Sequence, residues 1–160
     1  MMAKIPKVQK KDIKGLSKST AAKRKAEIRK RIKGKDSTKP LPGDSKAKTK
    51  ESKYTKKASS IRKEIRELTP KIKGKNQKDR FLNAASRVTN IPKRILESVY
   101  DKGLAAWKVS HRPGATPQQW AMARLYSFLT GGKTSTTGDA SLYIEAKKIL
   151  KEKKSGFRLP

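Results

Sequence analysis

The chain has no cysteine and a single histidine, His111. The first absence excludes disulfides and thiolate metal sites, and the second argues against a histidine-based zinc site. Carboxylates are scarce, 13 Asp and Glu against 43 Lys and Arg, which leaves a formal charge of +30. Aromatic residues make up 6% and hydrophobic residues 33% of the 160 positions, lean for one core spanning the whole length. No apolar run approaches the roughly 18 residues of a membrane-crossing helix. The opening MMAKIPKVQKK lacks the apolar centre of a secretory signal, so a soluble chain of intracellular origin is expected. Nothing in the sequence calls for a cofactor.

What is present is unevenly spread. Residues 1–78 hold 28 Lys/Arg and 7 Asp/Glu, a net charge of +21, and the remainder holds 15 and 6. So large an excess points to a polyanionic partner, nucleic acid first and an anionic membrane surface second. Four of the nine aromatic side chains fall between Trp107 and Phe128. The stretch HRPGATPQQWAMARLYSFLTGG, residues 111–132, therefore reads as the centre of the core. Thr116 and Gln119 form a capping box around Pro117, which opens a helix whose only full charge is Arg124 and which Gly131-Gly132 stops.

Around that centre the apolar spacing predicts helices over about 79–88, 91–102, 117–130 and 139–153. Asp79 and Asp139 are the expected N-caps, and Gly103 the expected end of the second helix. Ahead of them, AAKRKAEIRKRIK up to Lys33 and SSIRKEIREL near 60–68 are helical in composition but carry only thin apolar stripes. Residues 35–58, with Pro40, Pro42 and Gly43, read as a linker. The expected architecture is all-α: a four-helix domain over 79–154, a basic and largely disordered arm over 1–78 holding one or two marginal helices, and a short tail over 155–160.

Three stretches carry candidate chemistry. Helices 79–88 and 91–102 resemble a helix-turn-helix that would present Lys93, Arg94 and Ser98 to a major groove, although Glu97 and Asp101 share that side. Gly132-Lys133-Thr134 looks like the end of a P-loop but lacks the preceding strand and the earlier glycine, so a helix stop is the better reading. His111 and Arg112 are catalytic residue types, yet no carboxylate or nucleophile stands at a telling spacing, and no enzyme is expected.

The residues expected to meet phosphate are Lys23, Arg24, Lys25, Arg29, Lys30, Arg31 and Lys33, then Lys46, Lys48, Lys50, Lys53, Lys56 and Lys57, with Lys93, Arg94 and Arg112 from the helical domain. If about ten of them engaged, affinity would fall by roughly 10⁵ between 50 and 200 mM salt. Tyr54 alone offers base stacking in the arm, which disfavours single-strand recognition by aromatic platforms.

The run ILESVYDKGLAAWKVSHRPGATPQQWAMARLYSFLTGGKT, with Asp139 and Leu142 beyond it, resembles an uncharacterised domain in proteins of tailed phages and large DNA viruses. LPGDSKAKTKESKY, Leu41 to Tyr54, is similar to a lysine-rich segment accompanying that domain. The resemblance implies a viral origin, in the virion or the infected host cell, and supplies no catalytic residues. The expectation is a sequence-independent nucleic-acid-binding protein acting in genome condensation, packaging or virion structure, with DNA favoured over RNA and no membrane partner. The alternative is a structural or assembly protein whose basic arm meets an acidic capsid or scaffold surface.

Overall fold

Thr116 and Gln119 exchange the two hydrogen bonds of a capping box, each 3.1 Å, and set the start of a helix over Pro117–Leu129. A computed structural model describes residues 8–34, 37–45 and 53–160, all helical or looped, with no strand among them. Seven α-helices follow in order: α1 Lys18–Ile32, α2 Lys53–Lys57, α3 Ser59–Leu68, α4 Gln77–Thr89, α5 Lys93–Val109, α6 Pro117–Leu129 and α7 Ala140–Glu152. Short 3₁₀ turns stand at Lys10–Asp12, Thr69–Lys71 and Lys133–Thr136.

The all-α expectation holds, but the expected disordered arm does not. Helices occupy the first half of the chain as they do the second. Helix α1 buries Arg24, Ile28 and Arg31, and α3 buries Ile65. Even Asp12, near the start of the arm expected to be disordered, is buried, and its carboxylate accepts from the Gln9 N–H at 2.8 Å. The physical reason is that two arginines counted as solvated cations are part of the interior. A tally of apolar residues undercounts such a helix.

Two boundaries also move. Helix α4 begins at Gln77 because Asn76, not Asp79, is the cap, its side chain accepting from the Asp79 N–H at 2.8 Å. Helix α5 does not close at Gly103 but runs on to Val109. Gly103 lies on the buried stripe shared with Leu96, Val99, Tyr100 and Trp107, and that burial outweighs the roughly 1 kcal/mol an interior glycine costs.

The chain forms two compact units, residues 1–50 with 103–120 and residues 51–102 with 121–160. The second holds most of the apolar interior, including Phe81, Leu82, Ile95, Leu96, Leu125 and Phe128. Phe81 meets Tyr126 edge-on at 6.4 Å and Phe128 meets Tyr143 at 5.6 Å, a favoured arrangement of ring quadrupoles. The lone charge of α6 within this unit, Arg124, forms a two-pronged pair with the fully buried Asp139 carboxylate at 3.1 Å on each arm. Asp139 is thus a buried ion-pair partner and makes no side-chain cap bond to α7. Gly132 approaches the Tyr54 ring and the Ser127 hydroxyl so closely that a Cβ there would overlap both. The Gly-Lys-Thr sequence is accordingly a packed helix stop followed by a 3₁₀ turn.

Candidate nucleic-acid interface

Within the first unit, helix α1 is oriented by two buried arginines. The Arg24 side chain has no exposed surface, and three oxygens receive its guanidinium. Nη1 donates to Asp44 Oδ1 at 2.7 Å and to the Pro42 carbonyl at 3.0 Å, and Nη2 donates to the His111 carbonyl at 2.6 Å. Two turns further on, Arg31 donates to the carbonyls of Lys39 at 2.8 Å and Lys108 at 3.3 Å, and pairs with Glu27 at 3.3 Å. A guanidinium presents five N–H groups in a fixed plane, so several fixed acceptors lock its direction and that of the helix carrying it.

Asp44 is the hub of this arrangement. Its Oδ1 also accepts from the Gly114 N–H at 3.0 Å, and its Oδ2 from the Leu41 N–H at 2.8 Å and from His111 Nε2 at 2.6 Å. Burial by itself would raise the carboxyl pKa. The hydrogen bonds from His111, Arg24 and the Gly114 N–H outweigh that and lower it to about 2. The LPGD and HRPG turns, distant in sequence, are thereby tied together through one carboxylate.

His111 is fully buried, stacked on the Trp107 ring at 4.3 Å. Its Nδ1 faces the Trp107 carbonyl at 2.9 Å while Nε2 faces Asp44. Both partners are acceptors, so full satisfaction of the ring requires a proton on each nitrogen. Neither nitrogen is left for a substrate, and the side chain has no access to one. Asp44 had escaped notice in the sequence as a partner of His111, because 67 residues separate them.

The opposite side of α1 is cationic. Lys18, Ser19, Ala22, Lys23, Ala26, Arg29 and Lys30 are all exposed, and Lys33 follows at the C-cap. At 3.6 residues per turn these eight positions occupy a contiguous arc of about 140°. The arc holds five cations and no carboxylate; Glu27, the only acid of α1, lies about 40° beyond the Lys23–Lys30 edge and pairs with Arg31. Among the described residues, no ion pair engages any of the five.

The structure therefore sorts the residues expected to bind phosphate. Lys23, Arg29, Lys30 and Lys33 are exposed on one face, and Lys25 is half-buried. Arg24 and Arg31 are turned inward and buried, which makes them unavailable to a phosphate, and their terminal nitrogens serve carbonyls. Lys46, Lys48 and Lys50 lie outside the described residues. Lys53, Lys56 and Lys57 are exposed on α2 in the second unit, and Arg112 is half-buried in the HRPG turn of the first. Of the candidate helix-turn-helix, Lys93 pairs with Asp79 and Arg94 with Glu145, so both are partly neutralised within their own unit. Lys18 completes the α1 face and was missed, since it stands alone before the helix's cation clusters.

Fold and site together define a helical, strongly cationic protein in which α1 presents an acid-free face with a buried Arg–Asp–His cluster behind it. The chain belongs to the family of unknown function DUF5824, whose family model matches residues 9–151. No curated protein and no solved structure matches it.

Proposed function

We propose that this protein binds nucleic acid through the phosphate backbone, without reading sequence, and serves a virus in genome condensation, packaging or particle structure. The observation that carries the binding half is the outward face of α1, five cations without a countercharge on a helix locked by buried arginines. Such a surface concentrates positive potential where counterions are released on contact with phosphate. Charged side chains elsewhere are partly paired, as at Lys78–Asp101 and Arg94–Glu145. The viral setting rests on the resemblance of HRPGATPQQWAMAR and LPGDSKAKTKESKY to segments of viral proteins.

The test is fluorescence anisotropy of full-length protein with a short labelled duplex across a salt series. Engagement of the five α1 cations predicts a log–log slope of about −4 to −5, hence a loss of roughly 500-fold in affinity between 50 and 200 mM salt. Absence of binding to DNA and RNA alike at the lowest salt would remove the proposal.

A further inference from the structure

The exposed face of α1 has an internal order beyond its charge. Around the helix, Lys18 and Arg29 stand along one edge of the arc, and Lys23 and Lys30 along the other. Between these edges lie Ser19, Ala22 and Ala26, all exposed and all small, with Lys33 at the C-terminal end of the strip. Two cationic rails therefore flank a nearly bare strip of helix.

Resting on the nucleic-acid reading above, we infer that α1 seats in the major groove of B-form duplex DNA, its rails reaching phosphates of the two strands. The dimensions agree. A helix with its side chains is about 10–12 Å across, and the major groove is about 12 Å wide and 8.5 Å deep. Small residues at the centre let the backbone approach the groove floor without displacing a side chain. Alanine offers no hydrogen bond to a base edge, and the one hydroxyl, Ser19 Oγ, lies 3.4 Å from that of the capping Ser17. The strip thus lacks the bidentate donors that tell base pairs apart, and duplex binding with little sequence preference follows. A-form RNA has a deep, narrow major groove that would exclude the helix, and a single strand presents no second row of phosphates at fixed spacing.

The experiment compares affinities of the full chain for four probes of one sequence: plain DNA duplex, duplex whose cytosines carry glucosylated hydroxymethyl groups in the major groove, RNA duplex, and single-stranded DNA. Groove seating predicts at least ten-fold weaker binding to the glucosylated duplex and to duplex RNA than to plain DNA. It also predicts that Lys18→Ala/Arg29→Ala and Lys23→Ala/Lys30→Ala, one rail each, both weaken duplex binding and each lower the salt slope by about 2. Equal affinity for plain and glucosylated duplex, or one rail whose loss leaves binding intact, would overturn the groove placement while the broader nucleic-acid reading stands. Failure of all four probes to bind would overturn both.

Discussion

At the scale of single residues, Asp44 carries more of the first unit than its place in a lysine-rich stretch suggests. Its carboxylate accepts from two side chains and two backbone N–H groups. Because its pKa falls from 3.8 in the free residue to about 2 in the fold, the stabilisation is present above pH 4 and is lost as pH drops toward 2. The shift corresponds to about 2 kcal/mol. Asp44→Asn is expected to cost on the order of 3 kcal/mol at neutral pH, since it leaves a buried guanidinium without its counterion. Denaturant unfolding of both proteins at pH 7, 4 and 2 checks this. The gap between them should narrow as pH falls, and a gap that stays constant would show that ionisation of Asp44 is immaterial.

At the scale of elements, α1 shows how adjacent residues of the same charge take opposite roles. Arg24 is buried among three acceptors, and Lys23 is exposed on the cationic arc. Arg24→Ala should therefore lower stability by about 3–5 kcal/mol, because it leaves Asp44 short of a partner and opens a cavity. Lys23→Ala should change stability by no more than about 0.5 kcal/mol. Thermal melts of the two variants, read beside their duplex affinities, separate the roles: the first should lose fold, the second affinity alone. Much of the helical layout was legible beforehand. The Thr116–Gln119 capping box and the 3.6-residue spacing of Phe81, Ala84, Ala85 and Val88 placed α6 and α4 to within two or three residues. The inward side of α1 was not legible, because a guanidinium becomes interior only when acceptors converge on it from elsewhere.

At the scale of the whole molecule, a charge of +30 opposes compaction and favours polyanions at once. Salt should act on the two in opposite directions. Raising ionic strength from about 20 to 500 mM screens self-repulsion and should raise the melting temperature of the free protein, while duplex affinity falls. Parallel melting and anisotropy series check the pair. A melting temperature that drops with salt would show that attractive ion pairs, not repulsion, dominate the charge balance. The sequence by itself determined the sign and excess of that charge, the lack of any thiol, and most helix positions, since these depend on residue type and local spacing. Only the tertiary structure decided which cations face inward. Arg24 finds its acceptors 18, 20 and 87 residues away at Pro42, Asp44 and His111, and no local rule brings such separations together.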